Sequence, residues 1–307
     1  MRTPDETDEP NAADSLSLNT TGPTVTNTGR YDTAYPAALS DSLPSAGDFS
    51  QFNPDDLPKD FFGVVAAPRR HGKTTAVLHM LRDFHRSKRF THVIIFSKTL
   101  SGYEEYVPAN YQFDDLTNLP AIIDRQMDVG EYNSNQNNKK DYVRSSLLLV
   151  LDDMAADQSE LRSGDTGRLL LSLAVNGRHV TRRDPHPSNE CSVIIMTQRL
   201  TLIPAPVRGN ADFILTSRLA NKAERERVTH ENLTLHSGRS GMREAYHVLD
   251  ELTLSKPYRM CVACMHKANR QTHSDYVYYL DAEAEAKPVK MFGTEYDWQT
   301  KLKRIRF

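Results

Sequence analysis

Three short stretches of this chain combine residue types suited to handling a phosphorylated ligand. The first is "AAPRRHGKTT", residues 66–75. A Gly-Lys-Thr run that follows an apolar strand and opens an amphipathic helix is the setting of the phosphate-binding loop G-x-x-x-x-G-K-[ST], the Walker A pattern. Backbone N–H groups at the loop and helix start point at the phosphates, and the helix dipole favours their negative charge. In this register residues Ala67, Pro68, Arg69, Arg70, His71, Gly72, Lys73, Thr74 and Thr75 line the nucleotide. Lys73 reaches the β- and γ-phosphates and the Thr74 hydroxyl ligates Mg2+. Ala67 stands where the pattern has its first glycine, at the strand end, where a small side chain suffices. Gly72 is the harder position to replace, because the backbone there passes close to the phosphates. Arg69, Arg70 and His71 fill the variable positions and read as solvated. The second stretch is "LLLVLDDM", residues 147–154. An apolar strand delivers Asp152 to its C-terminal end, where ligands bind in open α/β sheets. This is the Walker B half of an ATPase site: Asp152 holds Mg2+, directly or through water, and Asp153 orients or deprotonates the attacking water. A second acid here separates an ATPase from a switch GTPase or a small-molecule kinase. The third stretch, "CSVIIMTQR" (191–199), ends in Thr197-Gln198-Arg199. Gln198 either hydrogen-bonds the γ-phosphate or the attacking water, or is the first polar residue of a loop.

The elements that must position these groups alternate from Asp60 onward. "FFGVVAA" (61–67), "THVIIFSK" (91–98), "SSLLLVLDDM" (145–154), "CSVIIMTQR" and "ADFILTSRL" (211–219) are apolar runs suited to buried strands. "TTAVLHMLRDFH" (74–85) places Ala76, Val77, Met80, Leu81 and Phe84 on one helical face. "TGRLLLSLAVNGRHV" (166–180) also has the helical period, while "EYNSNQNNKKDY" (131–142) reads as an exposed loop. Strands apolar on both faces and separated by helices imply an α/β fold with a mostly parallel sheet covered on both sides.

Composition sets the boundaries. Residues 1–60 hold three basic and eleven acidic residues, a net charge near −8, so with −2 for the whole chain residues 61–307 are near +6. The front is rich in Ser, Thr, Asn, Pro and Asp and offers too little apolar surface to offset its ordering entropy. Residues 1–57 are therefore expected to be a disordered acidic tail. Residues 58–307 are expected to be one P-loop ATPase domain, with a core at 60–220 and a C-terminal extension at 221–307. The start of the chain lacks the basic and apolar regions of a signal peptide, and no apolar run approaches the ~20 residues of a membrane span. Three cysteines in 307 residues suit a reducing, intracellular setting.

The combination of "APRRHGKTT", "LLLVLDDM", "NGRHV" and "SVIIMTQRLTLIPAPVRGNADFIL" resembles the FtsK–HerA superfamily of RecA-like P-loop ATPases that pump DNA. More narrowly, it resembles the poxvirus-type genome-packaging ATPases of large DNA viruses and their virophage and Polinton relatives. The matching positions are Arg178-His179, Thr197-Gln198, Pro204 or Pro206, and Arg208-Gly209-Asn210, within roughly residues 60–220. The order of the four motifs is more telling than any single one. The resemblance implies ATP and Mg2+ as cofactors and double-stranded DNA as a partner. It implies a homo-oligomeric ring in the infected cell or virion, with a capsid or vertex protein as a further partner. It makes Gln198 a γ-phosphate sensor and makes an arginine of this region a finger acting on a neighbour's nucleotide. Arg208 is the first choice for that finger, with Arg199 and Arg218 as alternatives. Two positions depart from the family pattern: Ala67, and Asp153 where the superfamily usually has Glu. Asp is one methylene shorter, so the water must sit closer or the backbone must shift.

A translocase grips phosphates without reading sequence. The basic clusters able to do so are Lys139, Lys140 and Arg144; Arg182 and Arg183; and Lys301, Lys303, Arg304 and Arg306. Each taken alone also reads as a solvated charge cluster. "CVACMH" (261–266) has no second C-x-x-C, and in a strand Cys261 and Cys264 point to opposite faces, so buried cysteines are expected in preference to a zinc site. "DYVYYLD" (275–281) is a candidate edge strand. The whole reads as an ATP-driven DNA translocase that packages a viral genome. The alternatives are a DNA helicase or recombination ATPase, and a non-catalytic nucleotide-binding scaffold.

Overall fold

The computed structural model describes residues 43–100, 102–138, 142–154, 164–180 and 189–282. The elements run β1 (Phe62–Ala66), α1 (Lys73–Arg86), β2 (His92–Ser97), β3 (Gln112–Phe113), α2 (Leu119–Ser134), β4 (Ser145–Asp152), α3 (Gly164–Val180) and β5 (Asn189–Thr197). A short α4 (Ala205–Arg208), β6 (Phe213–Thr216), α5 (Lys222–Val228), α6 (Arg239–Leu254), β7 (Arg259–Cys264) and β8 (Val277–Asp281) follow. All eight strands join one sheet in the order β3-β2-β4-β5-β1-β6-β7-β8. From β3 to β6 every pairing is parallel, and β7 and β8 add two antiparallel strands at one edge. The α/β fold expected from the apolar runs is the one observed.

Strands β1, β2 and β4 are buried at every position, because both faces of the sheet's centre are covered. The face of α1 carrying Ala76, Val77, Met80, Leu81 and Phe84 packs into the main core as its period requires, and His79 is buried with it. Gly63 in β1 is required by close packing: a Cβ there would lie 2.1 Å from the Phe213 ring. In β7, Met260, Val262 and Cys264 join the main core, whereas Cys261 and Ala263 join a second one with Leu249 and Leu252 of α6. The two cysteines thus lie on opposite faces, as the period of a strand dictates, and burial pushes both thiols up to about 12. "DYVYYLD" supplies β8, the edge strand.

Two expectations need correction. Residues 43–57, assigned by composition to the disordered tail, are ordered. Phe49, Phe52 and Leu57 are buried, and the chain runs beside β8, with the Phe52 amide donating to the Tyr279 carbonyl at 2.7 Å. The guanidinium of Arg89 accounts for part of this. It lies over the rings of Phe61, Phe84 and Phe90 and donates to the carbonyls of Pro54 and Leu57 at 2.9 and 2.8 Å. A window average over a polar segment does not register three well-spaced aromatic and aliphatic anchors. Residues 1–42 lie outside the described residues. The second correction concerns 131–142, read as a loop. Residues 131–134 are the last turn of α2. That helix buries polar groups, so its apolar period is weak: Asn133 is buried and bonds both the amide and the carbonyl of Val143 at 2.8 Å.

Candidate functional site

The parallel strands β1, β4 and β5 end together. Asp152 is opposite Met196, and Ala66 is opposite Thr197, so the three motifs meet at one edge of the sheet. This is where an open parallel sheet presents a ligand crevice.

The loop after β1 turns through two left-handed residues, Arg70 at φ 63 and Gly72 at φ 81, before α1 begins at Lys73. Gly72 meets this requirement without steric cost. A Cβ on it would meet Tyr258 only at ordinary contact distance, 3.4 Å, so the left-handed φ and not the space sets the need for glycine. Arg70 holds the same region at a cost of about 1–2 kcal/mol. Ala67 has no positive φ, so its methyl is tolerated where the pattern has glycine. Its side chain is buried and its amide donates to the Thr197 carbonyl at 3.1 Å. Arg69 and Arg70 are exposed, Pro68 is half-buried, and the His71 ring turns back to the Arg69 carbonyl at 2.8 Å. Ala76 is the first residue of α1 to donate within the helix, to the Gly72 carbonyl at 2.8 Å. The N–H groups of Lys73, Thr74 and Thr75 at its first turn therefore have no intrahelical acceptor and form an anion-binding end.

Lys73 bends over the loop and donates to the Ala67 carbonyl at 3.0 Å. Burial holds its pKa below the ordinary lysine value, against the pull of Asp153 and then Asp152. Asp152 is buried, and burial raises its carboxyl above the usual carboxylate range, with Asp153 adding to the rise. Asp153 leaves the strand with φ 55 and donates its amide to the Met196 carbonyl at 3.1 Å. Gln198 donates its side-chain amide to Asp153 Oδ2 at 2.7 Å. Gln198 is the first residue after β5 and lies beside Asp153.

Sequence reasoning missed Tyr103. Its ring is fully buried, and its hydroxyl donates to Asp152 Oδ2 at 2.8 Å and lies 3.5 Å from Met196 Sδ. The segment 102–111 after β2 carries it, anchored by Tyr103, Tyr106, Val107 and Tyr111, all buried. Their spacing was the one available signal, and it does not say which strand end they cover.

The donor set fits Mg2+. A hydroxyl (Thr74) and a carboxylate (Asp152), the latter held by Tyr103, are hard oxygen ligands. Mg2+ completes its shell with waters and phosphate oxygens in place of an all-protein cage. Among the described residues no cluster of three or more His, Cys, Asp or Glu gathers, and this arrangement needs none.

The arginines separate by environment. Arg208, at the end of α4, donates Nε and Nη2 to the two carboxylate oxygens of Glu231 at 2.7 and 2.9 Å, and Nη1 to the Ile203 carbonyl at 2.8 Å. Its side chain is 10% exposed. To reach a neighbour's nucleotide it must first give up all three bonds. Arg199 and Arg218 follow the ends of β5 and β6 and are exposed. Of the expected DNA contacts, Arg144 is exposed and donates to the Lys88 carbonyl at 2.9 Å. Lys139, Lys140, Arg182, Arg183, Lys301, Lys303, Arg304 and Arg306 lie outside the described residues. Arg178 and His179 fall on the last turn of α3. No helix among the described residues is long and apolar enough to cross a membrane.

The sequence matches no family model and no curated protein. The fold is similar to several solved structures. One is the DNA-packaging ATPase B204 of Sulfolobus turreted icosahedral virus, 13% identical over 76% of this chain and 99% of that one, with a TM-score of 0.46. Another is the genome-packaging NTPase B204 of Sulfolobus turreted icosahedral virus 2 in complex with ATP-gammaS, 15% identical over 78% and 100%, with a TM-score of 0.48. A third is the pCW3 conjugation coupling protein TcpA, 11% identical over 78% and 70%, with a TM-score of 0.45.

Proposed function

We propose that this chain is an ATPase that drives double-stranded DNA through an oligomeric ring, packaging a viral genome. The observation that carries the reading is the convergence of Lys73, Thr74, Asp152, Asp153 and Gln198 at one sheet edge, with Gln198 bonded to Asp153. The DNA and packaging part rests on the order of the four motifs in the sequence.

Each residue has a definable task. The amides at the start of α1 and the Lys73 ammonium take the phosphate charge, Lys73 exchanging the Ala67 carbonyl for phosphate oxygens. Thr74 and Asp152 hold Mg2+, which when bound neutralises charge on the β- and γ-phosphates. Asp153 accepts the proton of the attacking water. Gln198, which already bonds that carboxylate, is the sensor: its amide turns to the γ-phosphate and frees Asp153 for the water. The finger acting on a neighbouring subunit is Arg199 or Arg218, because both are exposed at this edge while Arg208 is committed to Glu231.

The test is ATP hydrolysis with and without duplex DNA. Wild type is expected to turn over faster with DNA, and Lys73→Ala to lose at least about 100-fold, the scale of removing one charge-stabilising donor. Equal activity in wild type, Lys73→Ala and Asp153→Asn overturns the reading. Strand unwinding in place of duplex translocation points to a helicase, and nucleotide binding without turnover to a scaffold.

A further inference from the structure

We infer that Tyr103 is a positioning residue for the metal-bearing carboxylate, an inference that rests on the nucleotide reading above. Its hydroxyl donates to Asp152 Oδ2 at 2.8 Å. A tyrosine hydroxyl has one proton, and here it is given to the carboxylate. That bond fixes the orientation of the Asp152 side chain at the end of β4. It claims one oxygen of Asp152 and leaves the other, Oδ1, for the cation.

Burial makes the arrangement firm. Tyr103 is fully buried, and its backbone is held in a turn, with the amides of Tyr106 and Val107 both donating to its carbonyl at 2.9 Å. The hydroxyl thus reaches the site on a fixed lever from the segment after β2, independent of β4, which carries Asp152. Groups that orient metal ligands in this manner typically change metal affinity by about 10–100-fold when removed.

Tyr103→Phe deletes one oxygen and keeps the ring that fills the core. The measurement is Mn2+ binding, followed by electron paramagnetic resonance, to the full chain in the presence of ATP-gammaS. Alongside it, affinity for metal-free ATP-gammaS is measured in EDTA, and the thermal transition is recorded. The expected result is an Mn2+ midpoint raised by about 10-fold or more, with metal-free nucleotide affinity within about twofold of wild type. Tyr103→Met, which also lacks the hydroxyl but fills the space with a flexible chain, is expected to shift the midpoint alike. An unchanged Mn2+ midpoint in either folded variant overturns the inference. So does a loss of metal-free affinity equal to the loss of Mn2+ affinity, which would make Tyr103 a packing residue only. A wild type that binds no nucleotide with or without metal overturns the nucleotide reading itself, and this inference with it.

Discussion

The C-terminal ends of β4 and β5 and the ion pairs around β8 and residue 231 both concentrate charge, but they treat it in opposite ways. Near Glu231, Arg208 takes both carboxylate oxygens and Arg227 adds a third contact at 3.1 Å. At β8, Arg259 and Lys256 close on Asp281. The hydrogen bond from Arg208 holds Glu231 below the usual carboxylate range, and that from Arg259 does the same for Asp281. At the sheet edge the signs reverse. Burial lifts Asp152, with Asp153 adding to it, and burial lowers Lys73. Charges in the first two places are matched within the fold. Those at the sheet edge are bonded by uncharged groups, the Ala67 carbonyl at Lys73, the Tyr103 hydroxyl at Asp152 and the Gln198 amide at Asp153; under the proposed function a polyanion and a cation supply the opposite charge. Desolvation and like charge shift pKa values in this direction at functional sites, whereas the structural ion pairs at Glu231 and Asp281 shift theirs the other way.

The largest expected effect that tests this contrast is at Asp153. Asp153→Asn should lower turnover by about 10²–10⁴-fold, the range of general-base catalysis, while leaving nucleotide affinity within a few-fold. Steady-state hydrolysis and equilibrium binding separate the two. Next is Arg208→Ala, which should cost about 1–3 kcal/mol of stability, the scale of hydrogen bonds to a charged group. In a domain of this size that is a fall in melting temperature of about 2–4 °C per kcal/mol. A variant of unchanged stability with lost hydrolysis would reinstate Arg208 as the finger and break the comparison.

The pH dependence sharpens it. A carboxylate lowered on folding adds stability that is present above its ordinary pKa and is lost as pH falls through the lower folded value. Glu231 and Asp281 should therefore contribute to acid unfolding. For Asp152 the sign is opposite. Its folded pKa is raised, so the folded state binds the proton more tightly, and stability falls as pH rises through the window between the ordinary and the raised value. Asp152→Asn should raise the melting temperature of the nucleotide-free protein above that window and change little below it. Thermal scans across pH with and without the substitution check this. The smallest effect is at Ala67. Ala67→Gly should leave nucleotide affinity within about twofold and cost about 0.5–1 kcal/mol from the freer unfolded chain.

The legible parts of the site were those carried on regular elements. A strand that ends in Asp152-Asp153 and a helix that opens at Lys73 advertise themselves through apolar runs and through residues that interrupt them. Gln198 was half legible: its place at a strand end was readable, its bond to Asp153 was not, because that needs β5 beside β4. Tyr103 was not legible at all. It sits 49 residues from Asp152 in a segment without a regular period. The same limit made residues 43–57 look like tail, since Phe52 and Leu57 count only against the assembled main core and Phe49 only against the second core beside α6. Arg208 misled in the other direction. Its position in a motif suggested a free arginine, and only folding brings Glu231 to it.

What the sequence by itself determined is the class of fold and the inventory at the edge of its sheet. Apolar runs that alternate with helical periods bury on both faces in one way, and they carry the residues at their ends along with them. What only the tertiary structure decided is which of those charges are already satisfied. Pairing is a property of distance, and the chain is folded so that residues 23 apart neutralise each other at Arg208 and Glu231, while Asp152 and Asp153, adjacent in sequence, bond the uncharged side chains of Tyr103 and Gln198.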